Sequence, residues 1–212
     1  MKRCFIPGPS GQLEAEFIPH SPYFATVIIA HPHPQYGGDM NNPVVIALSQ
    51  LFQRLGFSTL RFNVRGVGKS DGDCPTDGIP GSEDLLAVIH WTRQTQPNTH
   101  LWLAGYSYGA YISYRSACLL EQQNKPVEQL LLIAPPHPHL DFSNEILSQT
   151  PAVIAQAEND AIATSSAVTR WAKSLPSPPP ILVIKQADHF FQQGINSLTE
   201  QLQQWVGQQH QN

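Results

Sequence analysis

Leu101-Trp102-Leu103-Ala104-Gly105-Tyr106-Ser107-Tyr108-Gly109-Ala110 is the stretch on which the rest of the chain turns. Four apolar residues run into Gly-x-Ser-x-Gly, and an amphipathic segment follows directly. That order reads as a buried strand, a very tight turn and a helix, with Ser107 at the strained apex. A side chain two residues before or after the serine is expected to collide across the bend, which accounts for Gly105 and Gly109. The turn should push the Ser107 hydroxyl beyond the carboxyl edge of a sheet. It also sets the Tyr108 N–H in the first turn of a helix, where an unsatisfied donor can receive developing negative charge. Gly-x-Ser-x-Gly alone is short enough to occur by chance in loops. The strand before it and the helix after it make Ser107 a candidate nucleophile.

Outward from this stretch, strands and helices alternate. Ala25 to Ala30 is continuously apolar and β-branched, a strand buried on both faces, and it ends at His31-Pro32-His33-Pro34-Gln35-Tyr36-Gly37-Gly38. Asn42 caps a helix with Pro43 at its first position; Val44, Ala47, Leu48, Leu51, Phe52 and Leu55 form its apolar stripe and Gly56 ends it. Further strands are expected at 58–64, 127–134, 152–157 and 181–185. Helices are expected at 82–95 with Ser82 as cap, from the elbow to about 122, at about 164–174 and at about 190–207, with one weak helical turn between 134 and 150. Residues 2–7 and 13–18 flank Pro7-Gly8-Pro9-Ser10-Gly11 as an N-terminal hairpin. This alternation predicts an α/β fold: a mostly parallel central sheet, right-handed crossovers and helices on both faces. No repeat or linker divides it, so residues 1–212 are expected to be one domain.

Composition narrows the function classes. The chain is 41% hydrophobic and 13% charged with a net charge of -4, and no basic run is present. Neither nucleic acid nor an anionic membrane surface is an expected partner. Cys4, Cys74 and Cys118 match no disulfide framework and no zinc spacing. The basic N-terminus lacks an apolar core for a signal peptide, and no run approaches a membrane span. A cytoplasmic protein acting on a small molecule is the expectation; oligomeric state is not legible. The nineteen prolines of 212 residues cluster at element ends and mark loops.

In a parallel sheet, functional groups collect beyond the carboxyl ends of the strands. Ser107, Asp160 and His189 each follow a predicted strand. A serine hydroxyl needs a base to take its proton, imidazole titrates near neutral pH, and a carboxylate can fix the tautomer of that imidazole. Set singly, a loop histidine is usually solvated and an aspartate after a strand is usually a helix cap; the shared position of the three argues for a triad. The loop at His31 to Gly38 should give a second oxyanion donor beside Tyr108. Pro32 and Pro34 have no N–H, so the His33 backbone is the expected one. His31 and His33 lack a third ligand at metal spacing, so neither a metal nor a cofactor is expected. Gly66-Val67-Gly68-Lys69-Ser70 ends like a phosphate-binding loop, but Asn63 stands where its first glycine belongs. Asp188 adjoins His189, and side chains adjacent in a loop diverge. Tyr106 and Tyr108 are expected to pack or line a pocket.

These stretches, with Arg61-Phe62-Asn63-Val64-Arg65-Gly66-Val67-Gly68, Glu158-Asn159-Asp160 and Asp188-His189-Phe190-Phe191, resemble the α/β-hydrolases, in particular a small lidless group with a His-Pro-His-Pro…Gly-Gly loop. The resemblance spans about 25–207. It implies a Ser107–Asp160–His189 triad and no large cap domain. One departure is Gln186, where glycine is expected before the histidine loop. The resulting expectation is a serine hydrolase, carboxylesterase-like, on small or water-soluble esters, since only about 16 residues separate Ala134 from Pro151, where lipases insert a lid. The alternatives are a thioesterase or peptidase using the same triad, or a non-catalytic binding or scaffold protein on a hydrolase fold.

Overall fold

The computed structural model describes residues 2–21, 25–143 and 146–209. In chain order the elements are β1 (Lys2–Gly8), β2 (Gly11–Ile18), β3 (Ala25–Ala30), α1 (Pro43–Arg54), β4 (Ser58–Phe62), α2 (Gly78–Thr95), β5 (His100–Tyr106), α3 (Tyr108–Gln122), β6 (Gln129–Ile133), β7 (Ala152–Ala157), α4 (Ser165–Ser174), β8 (Ile181–Ile184) and α5 (Ile195–Gln209). The strands form one eight-stranded sheet in the order β1-β2-β4-β3-β5-β6-β7-β8. β3 through β8 run parallel, while β2 is antiparallel to both β1 and β4. The N-terminal hairpin therefore extends the sheet beyond β4, with Gly8 facing Gly11 across a two-residue turn.

Every residue of β3 and of β6 is buried, as strands covered on both faces require. One face carries α2, α3 and α4, with Leu85, Ile112 and Val168 in its core. The other carries α1 and α5, with Leu48, Phe52 and Leu202. α1 begins as its sequence demands: the Asn42 side chain accepts the Val44 N–H and Pro43 opens the first turn. Its buried stripe takes in Val45 and leaves Ala47 partly exposed.

Two expectations are corrected. α2 starts at Gly78 rather than residue 82, and its cap is Asp77, whose carboxylate accepts the Ile79 N–H. Ser82 lies inside the helix and donates to the Gly78 carbonyl. Gly78-Ile79-Pro80-Gly81 looks like a loop, yet Pro80 sits in a first turn, where a missing N–H costs nothing. The two glycines serve packing: a Cβ at Gly78 would lie 1.9 Å from the Tyr111 ring, and one at Gly81 would lie 2.2 Å from the Tyr108 hydroxyl. At the other end of the chain, α5 starts at Ile195 rather than 190, because Phe191 turns into the left-handed region (φ 53°) and is buried. Between 134 and 150 the weak helical turn is a single one, closed by the Leu140 N–H on the Pro136 carbonyl at 3.1 Å, and the described residues form no longer helix there; residues 144 and 145 lie outside the description.

That segment is tied down. The Glu121 carboxylate accepts the N–H groups of Ser148, Gln149 and Thr150, and Phe142 is enclosed by Tyr111, Tyr114 and Trp171. No helix among the described residues is long and apolar enough to cross a membrane. Residues 31–38, Ser107, Asp160 and His189 follow the carboxyl ends of β3, β5, β7 and β8, all at one edge of the sheet.

Candidate active site

Ser107 occupies the joint between β5 and α3 at φ 54°, ψ −117°, a conformation L-residues avoid and keep only when the surroundings impose it. Its N–H donates to the Ile133 carbonyl at 2.9 Å and its carbonyl accepts the Ala110 N–H, so the turn is held from both sides. A Cβ at Gly105 would lie 2.0 Å from the Gly109 carbonyl oxygen, which is the expected collision across the bend. At Gly109 the reason differs: a Cβ there would lie 2.2 Å from the Ala30 carbonyl oxygen, so that glycine lets α3 approach the end of β3.

The three distant side chains converge. His189 Nδ1–H donates to Asp160 Oδ2 at 2.7 Å, and His189 Nε2 accepts the Ser107 hydroxyl at 3.0 Å. All three are buried. A carboxylate can only accept, so it assigns the proton to Nδ1 and leaves the Nε2 lone pair toward the serine. The other Asp160 oxygen accepts the N–H groups of Ile162 and Ala163. Asp160 thus holds the turn that follows it with one oxygen and His189 with the other; it caps no helix, since the cap of α4 is Thr164. Asp188 instead accepts the Gln192 N–H.

Several contacts holding this arrangement had no assigned role at the sequence level. The Tyr106 hydroxyl donates to the His189 carbonyl at 2.7 Å and is buried. The Asn159 N–H donates to the Ala187 carbonyl, and Glu158 accepts both Lys185 Nζ and the Gln186 N–H. The aspartate loop and the histidine loop are therefore joined directly. Gln186 adopts φ 60°, the glycine-like turn that its identity had put in question, with its N–H held by Glu158. The ion pair with Lys185 and the Gln186 N–H keep Glu158 below the usual carboxylate range. Gln156 Nε2 donates to the Ala163 carbonyl at 2.6 Å and reaches Asp160 Oδ2 at 3.5 Å. A glutamine in an apolar strand was the available signal for that contact.

The two imidazoles of the His-Pro-His-Pro loop have separate tasks. His31 is fully enclosed: Nδ1–H donates to the Pro32 carbonyl at 2.7 Å and Nε2 accepts the Val64 N–H at 3.2 Å. Both ring nitrogens are engaged by backbone, so neither has a lone pair for a metal ion. Burial pushes its pKa down to about 4. In the same loop the N–H groups of Gln35, Tyr36, Gly37 and Gly38 all serve acceptors at His33 and Pro34. Those four N–H groups are therefore taken within the loop and are not the expected second oxyanion donor. Tyr108, as the first residue of α3, has no intrahelical acceptor for its own N–H. Both residues line a cleft of about 850 Å³ that also contains Ser107 and His189. Burial raises the hydroxyl pKa of Tyr106 and Tyr108 well above the ordinary tyrosine range, and Tyr108 donates to the Asp77 carbonyl. Both are packing groups, as expected.

The Gly66–Ser70 loop encloses a carboxylate where a phosphate would have to sit. Glu14 Oε2 accepts the Lys69 N–H and Asn63 Nδ2, and a Cβ at Gly68 would press on the same two side chains.

Residues 27–151 match the family described as alpha/beta hydrolase fold. An uncharacterized protein of Rickettsia prowazekii, RP471, is 32% identical over 90% of this chain and 82% of its own length. Among solved structures, an alpha-beta serine hydrolase homologue from Coxiella burnetii superposes with a TM-score of 0.88 at 36% identity, covering 96% of both chains. XC6422 from Xanthomonas campestris, described as an a/b serine hydrolase without lid, gives 0.88 at 33% identity over 98% of this chain and 94% of its own.

Proposed function

The chain belongs to the alpha/beta hydrolase fold family, and from that premise we propose that it is a serine hydrolase acting by acyl-enzyme chemistry on small or water-soluble carboxylic esters. The observation that carries the reading is the unbroken relay Asp160–His189–Ser107, with links of 2.7 and 3.0 Å. Ser107 Oγ attacks the acyl carbon while its proton passes to His189 Nε2, and Asp160 stabilises the imidazolium. The oxyanion formed takes the N–H groups of Tyr108 and His33. His189 then returns the proton to the departing alcohol, leaving an ester on Ser107. Water, deprotonated by the same imidazole, attacks that ester and releases the acid and the free serine. The tethered 134–151 segment, whose described residues form no helix beyond one turn, supports small substrates over long acyl chains. The cysteine pattern supports a cytoplasmic location.

Ser107→Ala should leave the fold intact and cut kcat by about 10⁶-fold. The measurement is ester hydrolysis beside a thermal melt, with a fluorophosphonate applied to both proteins. Labelling of the wild type and not of the variant separates an enzyme from a binding protein on this fold. Near-normal hydrolysis by the variant ends the proposal.

A further inference from the structure

Two series of rings lead from solvent to the nucleophile. Tyr36 is 88% exposed, and its ring centroid lies 5.0 Å from that of His33, which lies 4.9 Å from Tyr108, the buried neighbour of Ser107. Phe190, 59% exposed, stands 5.7 Å edge-on from His189, which lies 5.8 Å from Tyr106. The first series is rooted in the loop after β3 and the second in the loop after β8, and all six residues line the same cleft. The fold makes little use of Tyr36 or Phe190, since large apolar side chains left in water add no burial. Among the described residues the lining contains no Asp, Glu, Lys or Arg. Burial also holds the His33 imidazole below its ordinary protonation range, so that wall is neutral at neutral pH.

We propose that this cleft selects uncharged esters bearing a planar aromatic group, which rests on the Tyr36–His33 rings with the scissile carbonyl at Ser107. The inference rests on the serine-hydrolase reading and names its substrate class. A planar ring meets the mutually tilted rings of this wall in offset or edge-on contact, which an aliphatic ring of equal size cannot reproduce. A carboxylate on the substrate would lose its hydration against a described lining that offers no Lys or Arg.

The test pairs methyl 3-phenylpropanoate with methyl 3-cyclohexylpropanoate. Two methylenes insulate the ester from either ring, so intrinsic reactivity is matched. Monomethyl succinate is the charged control and methyl butanoate the small neutral one. In the wild type kcat/KM should favour the phenyl ester about five- to tenfold over the cyclohexyl ester. Tyr36→Leu, which keeps apolar bulk, should bring that ratio close to one, and Tyr36→Phe should retain it. Equal rates for the ring pair, preference for the succinate, or an unchanged ratio in Tyr36→Leu overturns the proposal. Calorimetric titration of Ser107→Ala with the two ring esters gives the same comparison without turnover. If the wild type hydrolyses none of the esters, the catalytic reading fails, and the titration alone decides whether the cleft prefers the aromatic ring. Equal affinity there overturns the inference.

Discussion

His31 holds the end of β3 to the second residue after β4 through one ring, donating to Pro32 and accepting from Val64. Protonation would set an N–H against the Val64 N–H in a ring buried away from bulk solvent. The folded chain takes up this proton only near pH 4, whereas the unfolded chain takes it up near 6.5. Between those values the unfolded state binds more protons, so acidification favours unfolding. The contribution is whole above about pH 6.5, declines through the window and is gone below about pH 4, amounting to about 3 kcal/mol. His31→Asn should therefore be less stable at neutral pH and show a flatter stability profile from roughly pH 6.5 to 4. Urea melts of both proteins across the window measure the difference, and parallel profiles would contradict the account. At this scale Ser107, Asp160 and His189 were legible because each follows its own strand. The separate duties of His31 and His33 were not, because sequence shows two similar imidazoles and conceals their acceptors.

Among the elements, the short return from β8 into the His189 loop departs most from expectation while keeping its shape. Gln186 sits at φ 60° without being glycine, and Glu158 holds its N–H. A side chain in that region costs about 1–2 kcal/mol, while glycine costs about 0.5–1 kcal/mol through the unfolded chain. Gln186→Gly should thus leave stability unchanged or raise it by up to about 1 kcal/mol, with turnover retained because the bond to Glu158 uses only backbone. Chemical denaturation and ester assays check both, and a loss beyond about 1 kcal/mol would mean that the Gln186 side chain itself contributes. α2 shows the opposite error. Its glycines read as a loop from sequence, yet they let the helix approach Tyr108 and Tyr111 of α3. Glycine marks either a special φ or a close contact, and only the neighbouring element tells which.

Across the whole molecule, the sheet separates two apolar layers. Trp171, with Trp91 at its margin, belongs to the layer under α2, α3 and α4, while Trp102 and Trp205 belong to the layer under α1 and α5. Both layers rest on the same strands, so neither should survive the loss of the other, and residues 1–212 are proposed to unfold as one unit. Tryptophan fluorescence and far-ultraviolet circular dichroism should therefore give coincident urea transitions. Two separated transitions would divide the chain into independent parts.

Local pattern determined a good deal. Continuous apolar runs, the cap at Asn42-Pro43 and the glycine-flanked serine specify parallel strands, helices and a sharp turn, because each depends on neighbours a few residues away. The pairing of the N-terminal hairpin with β4, the cap at Asp77 and the late start of α5 depend on surfaces far along the chain. So does the geometry of the candidate site: whether Asp160 or Asp188 accepts the hydrogen bond from His189 Nδ1–H is decided by distances of a few ångströms between segments dozens of residues apart, and packing alone sets those distances.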